Sequence, residues 1–153
     1  MIRVASVNVN GVRAAFRKGM QPWLDASGVD VLALQEVRAE REDLVALLGD
    51  EWSVANDEAS AKGRAGVAIA TRAHQDAIRT TLGPDTVDTA GRWIEVDITT
   101  PEGNPLTIVS CYVHSGETGT PKQDAKYEFL EIMSGRMQEI GTQSEYAIVV
   151  GDL

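Results

Sequence analysis

The sequence has one cysteine, no long apolar run, and fewer basic residues than acidic ones. The single thiol, Cys111, cannot form an internal disulfide, and it lies inside an apolar run where cysteine packs as a small hydrophobe. The longest apolar stretches are only as long as strands, and the first residues lack the pattern of a secretory signal. We therefore expect a soluble cytoplasmic protein with no membrane partner.

The charge of the chain is unevenly distributed. The formal net charge of -9 argues at first against a polyanionic partner, because affinity for phosphates comes from Lys and Arg. However, residues 1–24 contain no acid and four basic residues: Arg3, Arg13, Arg17 and Lys18. Two smaller basic pairs fall on predicted loops or helix starts: Lys62 with Arg64, and Lys122 with Lys126. The basic N-terminal segment is therefore compatible with a partner that contains phosphate groups.

Four apolar runs each end at a polar residue suited to phosphate or metal chemistry. The runs are short, rich in Val, Ile and Ala, and typical of buried strands: 3–9, 30–34, 106–113 and 146–150. The polar residues at their ends are Asn8, Glu36, Tyr112 and Asp152. Because ligand-handling residues are common where strands run out into loops, we predict that these four strand ends converge on one site.

The remaining pattern alternates strands and helices within 153 residues, enough for one domain with a core. Further strands are predicted at 64–71 and at 93–99, the latter in a hairpin with 106–113. Helices are predicted from Pro22 to Gly28 and from Glu40 to Leu48. A capping box at 120–123 predicts a helix to about residue 140. The expected core stripe of this last helix is Tyr127, Leu130, Met133, Met137 and Ile140.

Several segments, taken in order, share the pattern of one family. They are Ser6-Val7-Asn8-Val9-Asn10-Gly11-Val12-Arg13-Ala14, Asp30-Val31-Leu32-Ala33-Leu34-Gln35-Glu36-Val37-Arg38, Gly66-Val67-Ala68-Ile69, Gly91-Arg92, Tyr112-Val113 and Gly151-Asp152-Leu153. With these motifs the whole chain resembles the exonuclease III type of apurinic/apyrimidinic endonuclease. Asn-x-x-Gly-x-Arg with Leu-Gln-Glu is fairly specific to this branch, whereas Gln-Glu and Gly-Asp occur across the wider endonuclease/exonuclease/phosphatase superfamily.

The resemblance implies an α/β (α+β) fold, a four-layer α/β sandwich of two packed mixed sheets with outer helices. It also implies cleavage of DNA phosphodiesters that depends on Mg²⁺ or Mn²⁺, by incision beside abasic sites, 3′ to 5′ exonuclease action and removal of 3′ blocking groups. The implied partner is double-stranded DNA with abasic sites or 3′ ends. We expect the protein to act as a monomer.

The resemblance also implies roles for individual residues. Glu36 is the principal metal ligand, Asn8 helps to place metal or phosphate, and Asp152 lies at the metal and orients or deprotonates the attacking water. One carboxylate suits Mg²⁺, which leaves most of its octahedral positions to water and substrate oxygens. Tyr112 donates toward the phosphate as a protonated phenol. The positions that match DNA-contacting ones are Arg13, Lys18 and Asn10.

Alternatives remain open at this level. Glu36 also suits the capping of the turn before the helix at Glu40, and Tyr112 also suits a half-buried strand aromatic with its hydroxyl at the surface. His114 is expected to be a surface residue. For the whole protein, the alternatives are a superfamily phosphoesterase acting on a small phosphate ester or lipid headgroup, and a non-catalytic fragment.

The sequence ends at Leu153, whereas the family continues with an Asn just beyond, then a further Asp and an Asp-His pair. We therefore expect residues 1–153 to be the N-terminal portion of a single endonuclease/exonuclease/phosphatase domain. We also expect most strands of the second sheet to be missing, which would expose an apolar face of the first sheet. On that basis the 153-residue chain alone is expected to be inactive and poorly folded.

Overall fold

A computed structural model describes residues 1–83 and 89–153. These residues form eight strands and four helices. The strands are β1 (Val4–Asn8), β2 (Val31–Gln35), β3 (Ser53–Asp57), β4 (Val67–Thr71), β5 (Gln75–Arg79), β6 (Trp93–Thr99), β7 (Pro105–Tyr112) and β8 (Ala147–Asp152). The helices are α1 (Val12–Arg17), α2 (Met20–Ser27), α3 (Arg41–Leu48) and α4 (Pro121–Gln143).

The strands form two four-stranded mixed sheets. The first sheet has the order β1-β2-β4-β3, with β1 and β2 parallel and the other pairs antiparallel. The second has the order β5-β6-β7-β8, with only β7 and β8 parallel. All residues of β2 and β4 are buried, because these two central strands pack on both faces.

The sheets pack face to face and carry helices on their outer faces. Alternate residues of each strand point to opposite sides, so Val31 and Ile69 face the second sheet while Leu32 and Ala70 face α1, α2 and α3. On the far side, α4 covers the second sheet, where Phe129 packs with Trp93. This arrangement confirms the expected four-layer α/β sandwich.

The expectation that most of the second sheet is missing is wrong. Four strands are present in it, and Ile94, Val96 and Ile108 pack against the inner face of the first sheet. That inner face is therefore covered by apolar side chains. β1 and β8 are the outer strands at one side of the two sheets, and they contact each other.

The buried face of α4 differs from the expected stripe. Leu130, Met133 and Ile140 pack inward as expected, but Tyr127 is 62% exposed and Met137 is 41% exposed. The most buried residue of the helix is instead Phe129. The expected capping box also fails, because the hydroxyl of the residue before the helix donates to the carbonyl oxygen of residue 117 rather than capping an N–H.

Element boundaries differ in smaller ways from the sequence prediction. α2 begins at Met20 rather than Pro22, since the chain turns through the left-handed Gly19, and it ends before the left-handed Gly28 as expected. β4 begins only at Val67. In residues 1–83 and 89–153, no helix is both long and apolar enough to cross a membrane.

Candidate active site

The four polar strand ends come together at one edge of the sandwich. In the first sheet, Asn8 pairs with Gln35, which places Glu36 just beyond the end of β2. In the second, Tyr112 at the end of β7 pairs with Asp152 of β8. Hydrogen bonds then join the two sheets at this edge, so the predicted convergence is confirmed.

Asn8 links the two carboxylates of the site. Its amide nitrogen donates to Glu36 Oε1 at 2.9 Å and to Asp152 Oδ2 at 2.8 Å. Its amide oxygen accepts the backbone N–H of Asn10 at 3.0 Å, which sets the orientation of the side chain. Asn8 therefore acts here as a donor between carboxylates, and Asn10 supports it through the backbone.

Glu36 is the centre of the hydrogen-bond network. Its Oε2 forms an ion pair with Arg38, and the phenol of Tyr112 also interacts with it. The hydrogen bond from Asn8, followed by the interaction with Arg38, lowers the pKa of Glu36 below its ordinary value despite partial burial. Glu36 is thus an anion at neutral pH. Its side chain faces the site and does not cap α3.

Backbone hydrogen bonds hold the turn that carries Glu36 on both of its sides. Glu36 and Arg38 both have left-handed backbones, with φ of 51° and 52°, and Val37 between them is fully buried. On one side, the carbonyl of residue 36 accepts the N–H of Gly11 at 2.7 Å, and the carbonyl of residue 37 accepts the N–H of residue 12 at 3.0 Å. On the other side, the N–H of residue 37 donates to the Gly66 carbonyl, and the N–H of residue 38 donates to the carbonyl of residue 65. A non-glycine residue in this region is strained, and such strain is often retained at functional sites.

Asp152 is placed by a close approach of β8 to β7. A side chain at Gly151 would overlap the carbonyl of Cys111, so glycine is needed for the two strands to pair at this point. The backbone oxygen of Asp152 accepts the N–H of Val113 at 3.0 Å. The carboxylate itself is exposed, beside Asn8, and is open to solvent and ligands.

Tyr112 presents its hydroxyl to the site. Burial, and next the charge of Glu36, raises the pKa of the phenol above its ordinary value, so the hydroxyl is protonated at neutral pH. The Arg92 guanidinium lies 5.2 Å from the ring centroid and donates to the Tyr112 carbonyl at 3.3 Å. A partly buried, protonated phenol beside Glu36 makes this tyrosine a candidate hydrogen-bond donor within the site.

The predicted DNA-contacting cations lie on or beside the first helix. Arg13 is exposed on α1 and forms an ion pair with Asp43 of α3, and Lys18 is exposed at the end of α1. Arg13 also lines a cleft of about 190 Å³ next to the site. The other charged residues lining this cleft are Arg38, Glu40, Glu58, Lys62 and Arg64.

Sequence reasoning missed the polar layer beneath the site. Gln35 is 1% exposed and donates to the hydroxyl of Ser110, also buried, at 3.0 Å, and Ser110 donates to the Leu34 carbonyl at 3.1 Å. This layer joins β2 to β7 directly below Glu36 and Tyr112. Both residues stood in the predicted strand ends, but only the packing of the two sheets shows that they meet.

His114 packs edge-on against Phe129 under α4.

The donor set fits a hard divalent cation. In the part of the chain that the structure describes, no group of three or more His, Cys, Asp or Glu forms a closed metal site. Glu36 and Asp152 instead supply a pair of carboxylates that share Asn8. Mg²⁺ is commonly held by one or two carboxylates and keeps several waters, so these residues suit it. A structural Zn²⁺ site would need four protein ligands.

Known proteins share this fold over almost the whole chain. An exodeoxyribonuclease III from Haemophilus influenzae is 25% identical over 99% of this chain. The structure of an AP endonuclease from Archaeoglobus fulgidus matches with a TM-score of 0.84 and 26% identity, also over 99% of this chain. A 3′–5′ exonuclease from Neisseria meningitidis matches with a TM-score of 0.83 and 22% identity over 98% of this chain.

The chain spans 57% of the length of each of these three proteins. The family model described as endonuclease/exonuclease/phosphatase matches residues 5–153, which include all four polar strand ends. Together with the four-layer sandwich and the carboxylate pair, this match assigns the chain to a family. It belongs to the endonuclease/exonuclease/phosphatase family.

Proposed function

We propose that this chain is part of a Mg²⁺- or Mn²⁺-dependent DNA repair nuclease of the exonuclease III type. The proposed substrates are abasic sites and 3′ ends of double-stranded DNA. The observation that carries the proposal is the pair of carboxylates, Glu36 and Asp152, joined by Asn8 beside the protonated phenol of Tyr112. Residues 1–153 would be the N-terminal portion of one such domain, acting as a cytoplasmic monomer.

Each residue has a separate chemical role in this proposal. Glu36, ionised at neutral pH, would hold the metal, with Asn8 and Asp152 beside it. The bound cation would supply charge stabilisation at the phosphoryl and leaving oxygens. Tyr112 would donate its hydroxyl proton in a hydrogen bond to a phosphate oxygen, whose negative charge grows during attack.

Asp152 is suited to the attacking water. Its carboxylate is exposed, so a water molecule can reach it, and one of its oxygens is already oriented by Asn8. A carboxylate that accepts a hydrogen bond from water orients an oxygen lone pair toward phosphorus and takes up the released proton. The short connection through Asn8 would keep this carboxylate at a set distance from Glu36.

The basic residues near the site support a polymeric substrate over a small phosphate ester. Arg13 and Lys18 are exposed on or next to α1, and Lys62 and Arg64 extend the positive charge along the neighbouring cleft. Phosphate contacts position a nucleic acid and need charge more than geometry. A small ester would use only the residues of the site itself.

The proposal predicts metal-dependent nicking of abasic DNA. The assay uses a fluorescent duplex with one tetrahydrofuran abasic analogue, incubated with the 153-residue chain and with the complete translated product of its gene. With Mg²⁺ or Mn²⁺ we expect the complete product to incise beside the abasic analogue, because hard cations stabilise the phosphoryl charge. Denaturing gels measure the product.

Four control reactions define the outcome of this assay. An undamaged duplex tests the requirement for the abasic site, and a duplex with a 3′ phosphate tests removal of blocking groups. Excess chelator is expected to abolish cleavage, and undiminished cleavage in chelator would contradict the proposal. Hydrolysis of p-nitrophenyl phosphate without any DNA cleavage would favour the phosphoesterase alternative.

A second prediction concerns the cations of the first helix. Replacing Arg13 and Lys18 together with Ala should weaken binding to duplexes of all sequences and lower the slope of log K against log salt by about 2 in magnitude. Arg13 can contribute although it pairs with Asp43, because the pair is exposed, at 56% and 33%, and such pairs contribute little. Fluorescence anisotropy in EDTA measures the affinity without cleavage.

The Asp43→Asn variant is the matched control. It leaves both cations in place and frees Arg13 from its internal partner, so binding should tighten. An unchanged salt slope in the double alanine variant would show that Arg13 and Lys18 are ordinary surface residues.

A further inference from the structure

Arg38 occupies one oxygen of the principal candidate metal ligand. Its guanidinium pairs with Glu36 Oε2, while Glu36 Oε1 accepts from Asn8. Both carboxylate oxygens are therefore engaged. Of these two partners only Arg38 carries a charge, and its side chain is 42% exposed while that of Glu36 is only 16% exposed. A cation that binds Glu36 would compete directly with Arg38 for this carboxylate oxygen.

The backbone directs this pairing. Glu36 and Arg38 are two residues apart and both left-handed, which brings their side chains to the same side of the turn. The intervening Val37 is buried, and backbone hydrogen bonds to residues 65 and 66 hold the turn in place. The backbone is therefore held, whereas the long Arg38 side chain is 42% exposed to solvent.

We propose that Arg38 is an internal counter-cation that holds Glu36 until a divalent metal ion takes its place. The inference rests on the proposed metal at Glu36. Asn8 is neutral and can remain bound, but a guanidinium beside a dication is repelled, so Arg38 must leave as the metal enters. Until then, the ion pair fixes the orientation of the carboxylate.

The adjoining cleft can receive the displaced side chain. Arg38 already lines this cleft of about 190 Å³, whose wall also includes the exposed carboxylate of Glu58. The Glu58 carboxylate accepts a hydrogen bond from Asn56 at 3.4 Å. In this proposal, rotation of the Arg38 side chain into the cleft would replace the Glu36 carboxylate with that of Glu58.

The test measures Mn²⁺ binding by isothermal titration calorimetry in the absence of DNA. Arg38→Met removes the charge and the donors and keeps an unbranched side chain, and we expect it to bind Mn²⁺ about tenfold to a hundredfold more tightly than the unaltered chain. Arg38→Lys keeps a positive charge and is expected to stay close to the unaltered affinity. Arg38→Gln is a second uncharged variant, and circular dichroism verifies the fold of each protein.

Two further variants separate the outcomes. Arg64→Met removes a cation from the same cleft, whereas the side-chain hydrogen bonds and ion pair of Glu36 are with Asn8 and Arg38, so it should change the affinity far less than Arg38→Met. Glu36→Gln should abolish binding. Loss of binding in Glu36→Gln with equal affinities for the unaltered chain, Arg38→Met and Arg38→Gln would overturn the role of Arg38 alone. Absence of Mn²⁺ binding in all proteins would overturn both the proposed metal and this inference.

A second readout follows the side chain itself. In NMR spectra of the ¹⁵N-labelled chain, the guanidinium signals of Arg38, assigned by their loss in Arg38→Lys, should shift on addition of Mg²⁺. Glu36→Gln should remove that response. Signals that stay unchanged while Mg²⁺ binds at Glu36 would contradict displacement.

Discussion

Replacing Glu36 with alanine is expected to lower metal-dependent cleavage of abasic DNA by at least about a thousandfold. The physical reason is that a Lewis-acid metal supplies several kcal/mol of charge stabilisation, and each 1.4 kcal/mol corresponds to about tenfold in rate. Glu36 is the carboxylate on which Asn8, Arg38 and Tyr112 converge. Initial rates of nicking by the complete translated product, measured at saturating Mg²⁺, test the prediction.

Two comparisons make this result specific. Glu36→Gln keeps the shape and the hydrogen bond from Asn8 but not the charge, and it should be nearly as inactive as the alanine variant. Glu42→Gln removes an exposed acid in the first turn of α3, and it should retain full activity. A Glu36→Ala protein that keeps a tenth or more of the original rate would exclude Glu36 as the principal ligand.

Replacing Glu95 with alanine is expected to destabilise the fold by about 3–5 kcal/mol, because it breaks a buried ion pair and removes the acceptor of the buried Trp93 indole. The Glu95 side chain on β6 is fully buried under α4. It accepts hydrogen bonds from Arg136 at 2.7 and 2.8 Å, from Arg79 at 2.6 Å, and from the indole of Trp93 at 2.9 Å. Urea unfolding followed by circular dichroism gives the free energy difference.

The neighbouring Asp97 provides the matched control. It also pairs with Arg79, but its side chain is 31% exposed, so Asp97→Asn should cost about 1 kcal/mol or less. A Glu95→Ala protein that is no less stable than Asp97→Asn would contradict the importance of burial.

The acid dependence of stability provides an independent check on Glu95. Burial alone would raise its pKa, but hydrogen bonds from Arg136 and then Arg79 lower it from the ordinary 4.5 to about 2. A depressed folded pKa contributes stability above the unfolded pKa. This contribution, on the order of 3 kcal/mol, is lost as pH falls from about 4.5 to about 2. Glu95→Gln should lose this part of the pH dependence.

The buried face of α4 shows why a sequence pattern can leave a helix rotation undecided. Met133 and Ile140 were expected at the core and are there, together with Phe129. Arg136 lies on the same face, since positions three, four and seven apart share one side of a helix. A charged residue is normally solvent-facing, whereas here the apolar Met137 is 41% exposed and Arg136 is the residue that faces inward. The buried carboxylate of Glu95, 41 residues away in sequence, makes an inward arginine favourable.

Strands show the same division between local and distant information. β2, β4 and β7 are dense in Val, Ile, Leu and Ala, and the sequence indicated them. β3 and β5 were not predicted, because Ser53–Asp57 and Gln75–Arg79 each contain only two apolar residues. Both are edge strands, held by one neighbour, and an edge strand does not need a continuous apolar run.

The sequence by itself determined the α/β class, the central strands and the polar residues at four strand ends, because side-chain periodicity and strand termination are local properties. It did not determine that Asn8 would bond Asp152, 144 residues away, or that Arg38 would hold Glu36. Those contacts depend on how two sheets pack and on the left-handed turn at 36–38. Distances between residues far apart in sequence are set by the packed core, and only the tertiary structure contains them.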